Sequence, residues 1–133
     1  MKTFRMGGVH PKDNKFSAGQ KIQDALLPRQ VAILLSQNIG APSTPVVAVG
    51  DLVKAGQLIG RSAGFVSANV HSSVSGKVIK IDETVDASGY KVPAVFIDVE
   101  GDEWLETIDR TSTLIKECTL EPSEILEKIA TAG

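Results

Sequence analysis

GDLVKAGQLIGRSAGFVSANVHSSVSGKV, residues 50–78, is built from short apolar runs cut by Gly, Asp and Ser. Gly50-Asp51 and Ala55-Gly56 are turn dipeptides bracketing the apolar Leu52-Val53, and glycine supplies the positive-φ positions that tight reversals demand. From Ser72, the stretch SSVSGKVIKI again sets Ser-Gly in front of a β-branched run. The pattern predicts two bent strand-turn-strand units.

Outward from this stretch, VAILL from Val31, PVVAV from Pro45 and VPAVFIDV from Val92 are further short β-branched runs separated by Gly, Pro, Asp and Ser. That is an all-β signature. In KVIKID, strict alternation would put Val78, Lys80 and Asp82 on one face and Ile79 and Ile81 on the other. A small barrel or sandwich over residues 29–101 follows. Residues 1–28 are rich in Gly, Pro, Lys and Asn. They read as an extended arm packing on the barrel, with one helical turn in AGQKIQDALL ended by Pro28. Residues 102–133 read as a connector. Within it, Ile125, Leu126 and Ile129 share one helical face, Pro122 suits a first helical position and Gly133 suits a left-handed stop, so a helix is expected from Pro122 to Thr131.

Two bent units related by a rough twofold make the flattened barrel-sandwich hybrid of biotinyl and lipoyl domains, which the G-D-x-V-x-x-G-Q-x-I pattern from Gly50 to Ile59 resembles. In those carriers an acylated lysine stands at the tip of an exposed hairpin. No lysine lies between Lys54 and Lys77 here, and counting back from Gly76 places Phe65 or Val66 at the tip. Neither side chain can be acylated, so a biotinyl or lipoyl carrier is disfavoured. A second alternative is a small histidine phosphocarrier using His71 or His10, which needs a second donor beside the imidazole to hold the phosphate. The plainer reading of His71 is a partly buried ring bonded to a turn, and of His10 a structural or partner-contacting role in the arm.

Other chemistry has little to stand on. The 133 residues suit one domain, and a net charge of -2 offers no basic excess for nucleic acid or anionic lipid. The single cysteine, Cys118, forms no internal disulfide and cannot ligate a zinc or iron–sulfur site alone. It reads as a small buried hydrophobe. No apolar run reaches the ~20 residues of a membrane span. Ser62, Ser67, Ser72, Ser73 and Ser75 lie in no G-x-S-x-G elbow, and GGVHP is not a phosphate-binding loop. Asp82-Glu83 and Glu100-Asp102-Glu103 read as solvated loops. Catalytic, cofactor-binding and metal residues are therefore expected to be none.

GGVHPKDNK (residues 7–15), LLSQNIGAPSTPVVAVGDLVKAGQLIG (residues 34–60) and GFVSANVHSSVSGKV (residues 64–78) together resemble the N-terminal region of RnfC, a component of the Rnf electron-transport complex. That complex is a membrane-bound, ion-translocating ferredoxin (or flavodoxin):NAD oxidoreductase of bacteria. The resemblance implies a peripheral protein on the cytoplasmic face of the inner membrane, whose partners are the other Rnf subunits and the downstream domains of its own polypeptide. It implies that the NADH/FMN-binding domain and two 4Fe-4S clusters lie beyond Gly133, leaving this piece without cofactors and without catalysis of its own. The family often carries histidine where this chain has Asn38, a position suited to capping a turn. On this reading the chain is a docking scaffold, with Phe65, Val66 and His10 as candidate partner contacts and the alternative that Phe65 folds back onto the core.

Overall fold

The computed structural model describes residues 11–114 and 117–133. Among them the β-branched runs form β1 (Gln30–Leu34), β2 (Thr44–Pro45), β3 (Leu52–Val53), β4 (Leu58–Arg61), β5 (Val70–His71), β6 (Gly76–Val85) and β7 (Lys91–Val99), followed by α1 (Pro122–Ala132). All strand pairs are antiparallel and fall into two sheets, in the orders β1-β7-β6-β3 and β2-β4-β5. The fold is the expected mainly β barrel-sandwich hybrid with one short C-terminal helix.

Both sheets contribute to one core. Leu35, Ile59, Val78, Val95 and Ile97 are its largest fully buried side chains, with Val53, Val70 and Val74 packed among them. Gly50 N–H donates to the Val78 carbonyl (2.7 Å) and Val78 N–H to the Asp51 carbonyl (2.8 Å), so the first turn is tied to the middle of β6. Gly76 has φ +151, and a Cβ there would sit 2.0 Å from the Asp98 carbonyl oxygen, so the start of β6 has no room for a side chain.

The alternation expected in KVIKID is broken. Val78 pairs with Ile97 and Lys80 with Phe96, which leaves Ile79 as an extra residue in β6. A bulge shifts the period of two by one position. Val78 is therefore buried while Lys80 is exposed, and beyond the bulge it is Ile81 that packs against the core. Bending at this point curls the long β6–β7 hairpin around the barrel.

The arm also departs from expectation. Residues 11–28 are exposed throughout, with Phe16, Ile22 and Leu26 almost wholly so, and the turn falls at residues 16–19, reaching only the first two residues of AGQKIQDALL. A helix this short needs burial against other elements to persist, and these residues have none. By contrast, residues 100–108 are laced onto the barrel. Ser75 Oγ donates to the Glu100 carbonyl (2.7 Å), Ala55 N–H to the Glu103 carbonyl (2.9 Å) and Leu105 N–H to the Ala55 carbonyl (2.9 Å). Cys118, expected to be buried, is exposed.

In α1, Pro122 takes the first turn, the Glu121 N–H donates to Glu124 Oε2 (2.9 Å), and Gly133 (φ 102) ends the helix with its N–H on the Ile129 carbonyl (3.2 Å). The helix runs one residue beyond the expected Thr131 because the glycine, not Ala132, adopts the left-handed conformation. No residue of α1 is buried, and Leu126 and Ile129 lie open to solvent.

Ile97→Ala is expected to lower unfolding free energy by about 2–5 kcal/mol in urea titrations, whereas Ile22→Ala changes it by less than about 0.5 kcal/mol. Equal losses would contradict both the core and the arm described above.

Candidate functional site

The end of the barrel between β4 and β5 is where a carrier domain would present its lysine. After Arg61 the chain loops out and returns at Val70. Ser62 N–H donates to Asn69 Oδ1 (3.0 Å) and Ala63 N–H to Ser67 Oγ (3.1 Å), closing the loop at its base and near its tip. Phe65 stands at the tip with 104% of its reference surface accessible, beside Val66 at 51%. The ring does not fold back onto the core.

A second loop braces the first. Asn38 Oδ1 accepts from Gly40 N–H (2.8 Å), the turn-capping role expected of it, while its Nδ2 is buried without a partner among the described residues. Ala41 N–H donates to the Val66 carbonyl (3.0 Å), and Ser67 Oγ donates to the Ala41 carbonyl (2.9 Å). Gly40 lies so close to this hairpin that a Cβ would come within 1.6 Å of the Val66 carbonyl oxygen. Ile39, immediately before this contact, is as fully exposed as Phe65, at 102%.

Sequence reasoning picks out Phe65 and Val66 but misses Ile39. Its signal is an apolar residue wedged between Asn38 and Gly40, two turn formers that together lift its side chain out of the chain path.

His71, on β5, is half-buried and lines an open cleft of ≈ 730 Å³ between the barrel and α1, opposite Glu124, Glu127, Lys128 and Thr131. No second imidazole accompanies it among the described residues, and His10 lies outside them. Its ring makes no hydrogen bond among the described residues, neither to a turn nor to a carboxylate. Three serines of the stretch bind backbone: Ser72 Oγ donates to the Val74 carbonyl (2.7 Å), and Ser75 and Ser67 donate to the carbonyls named above. Such hydroxyls stitch loops together and are not poised as nucleophiles. Among the described residues no group of His, Cys, Asp and Glu could hold a metal ion, and no helix is long and apolar enough to cross a membrane.

Asn69 is the other residue that sequence reasoning does not single out. While its Oδ1 holds the hairpin base, its Nδ2 donates to the carbonyls of Ala130 (3.0 Å) and Thr131 (3.4 Å) at the end of α1. A helix end leaves carbonyls without intrahelical partners, and here a barrel side chain satisfies two of them. One amide thus joins the tip hairpin to the last element of the chain.

Two curled antiparallel sheets around one core, with an exposed hairpin between β4 and β5, define the class as a barrel-sandwich hybrid, biotinyl/lipoyl-like in architecture. The family model for the RnfC barrel sandwich hybrid domain matches residues 2–102, and the chain belongs to this family. It is 46% identical over 135 residues to the C subunit of the proton-translocating ferredoxin:NAD(+) oxidoreductase complex of Clostridium ljungdahlii, a match covering 100% of this chain and 29% of that protein. Against the C subunit of the Na(+)-translocating ferredoxin:NAD(+) oxidoreductase complex of Acetobacterium woodii, identity is 46% over 108 residues, with 80% of this chain and 24% of the relative covered. The C subunit of the ion-translocating oxidoreductase complex of Rhodobacter capsulatus is 36% identical over 131 residues, covering 96% and 24% of the two chains. The chain thus spans under a third of the length of these curated relatives.

Asn69→Asp would keep the acceptor for Ser62 N–H, remove the donor to α1, and place a negative charge at the negative end of the helix dipole. Amide exchange at Ile129–Gly133 is expected to speed up more in Asn69→Asp than in Asn69→Ser, with the β6–β7 amides unaffected. Protection of the α1 end unchanged from the unsubstituted protein in both variants would remove Asn69 from this role.

Proposed function

We propose that this chain is the noncatalytic docking domain of an RnfC protein in an ion-translocating ferredoxin (or flavodoxin):NAD oxidoreductase complex. It holds the redox machinery of its polypeptide, the NADH/FMN-binding domain and the two 4Fe-4S clusters, against the other subunits at the cytoplasmic face of the membrane. The domain itself carries no cofactor and turns over no substrate. Its partner-facing residues are Phe65 and Val66, with His10 of the arm as a further contact.

One observation carries this reading: the position at which related architectures present an acyl lysine here presents a fully exposed phenylalanine. An exposed aromatic ring costs free energy in water that burial against a partner recovers, by about 1.5–3 kcal/mol for one side chain. Aromatic anchors of this kind dominate binding at interfaces. The alternative of a histidine phosphocarrier is less well supported, because among the described residues the cleft beside His71 offers one cation, Lys128, against the carboxylates of Glu124 and Glu127, which repel an anion.

Phe65→Ala in the full-length RnfC protein should weaken its incorporation into the complex, scored by co-purification with the other subunits. The melting temperature of the isolated protein should stay the same, since an exposed ring contributes nothing to the core. Normal assembly of the variant, or a fall in melting temperature of more than a few degrees, would refute the docking role. Intact mass after incubation with a phosphohistidine donor should show no adduct at His71.

A further inference from the structure

We propose that Ile39 and Phe65 form a two-pronged apolar plug that seats in a single concave, uncharged pocket on a partner polypeptide. This inference rests on the docking role above and specifies the partner's chemistry. The two side chains stand on different loops, both entirely exposed, and each is one residue away from the Gly40–Val66 contact that joins those loops. Three hydrogen bonds hold the pair in place: Gly40 N–H to Asn38 Oδ1, Ala41 N–H to the Val66 carbonyl, and Ser67 Oγ to the Ala41 carbonyl. Prongs fixed before binding lose little conformational entropy on docking, which makes a tight pocket a favourable receptor.

Charge decides what kind of pocket. Residues 36–50 and 62–76 contain no Asp, Glu, Lys or Arg, and Arg61 is the only such residue from Gly60 to Gly76. A partner lined with charges would have them stripped of water without a counter-charge to meet them. The same absence argues against a lipid surface, because peripheral binding to anionic membranes draws on clusters of Lys and Arg beside the apolar tip. A second copy of this chain fits poorly as well. The tip is convex, and an aromatic side chain buries about 150–250 Å², so two knobs meeting head-on fall short of the roughly 800 Å² per partner of a stable interface. A concave apolar pocket, rimmed by neutral polar groups able to meet the exposed Ser62, satisfies all three constraints.

The test uses the full-length RnfC protein and the complex depleted of it, with Ile39→Ser, Phe65→Ser and the double variant titrated for binding. Each single change should raise Kd about tenfold to hundredfold. The double change should raise it by less than the product of the two, because side chains sharing one pocket do not act independently. Circular dichroism melting of each variant should match the unsubstituted protein. If Phe65→Ser weakens binding but Ile39→Ser does not, or if the two effects multiply, the shared pocket is wrong while docking through Phe65 survives. If neither variant changes Kd, docking through this tip fails altogether. Flotation with phosphatidylcholine and phosphatidylglycerol vesicles should show no binding that depends on Ile39 or Phe65, and sedimentation should show no dimer that depends on them. Either one would overturn the assigned partner. Ala63→Glu should weaken binding; tighter binding would reveal a basic pocket and overturn its neutrality.

Discussion

The ladder between β6 and β7 is the constraint on which the rest of the molecule depends. It is the longest pairing in the structure, and its two strands supply Val78, Val95 and Ile97 to the core. β1 attaches to β7 along its whole length and β3 to the start of β6, so neither has a sheet to join without it. The bulge at Ile79 gives the ladder its bend, and the bend lets the hairpin serve as one wall of a two-sheet core. Once that wall exists, Ile59 and Val70 of the smaller sheet have an apolar surface to cover. Burial of their side chains then fixes the hairpin whose tip carries Phe65.

Much of this is legible in the order of residues. Gly50-Asp51 and Ala55-Gly56 mark turns because few other residues adopt the backbone angles required, and Gly76 opens β6 where no side chain fits, so the strand units around them follow from local chemistry. The same holds for α1, where Pro122 and Gly133 define the ends by their own backbone restrictions. Phe65 can be placed at the tip by counting from Gly76, since the length of a hairpin is set by its geometry even when its chemistry changes.

What escapes reading is set by contacts between distant residues. Nothing local to KVIKID announces the extra residue at Ile79; it arises from pairing with Ile97 and Phe96. AGQKIQDALL has helical spacing, but without an apolar surface to lie on, that spacing has no consequence and the segment forms no helix. Cys118 belongs in the interior by the habits of its residue type, yet the connector around it builds no interior. Ile39 and Asn69 acquire meaning only when two loops, or a loop and a helix, meet in space. A sequence of isolated turns does not reveal which turn will be pressed against which.

The two-ended grip of Asn69 has a mechanical corollary. Its carboxamide is a rigid plane, so the hydrogen bond at the hairpin base and those at the end of α1 cannot be adjusted separately. A shift of the end of α1 would reach the base of the Phe65 hairpin through a few covalent bonds of one side chain. In form this is a bell crank: the place of the helix end and the place of the hairpin base are set by the same small pivot.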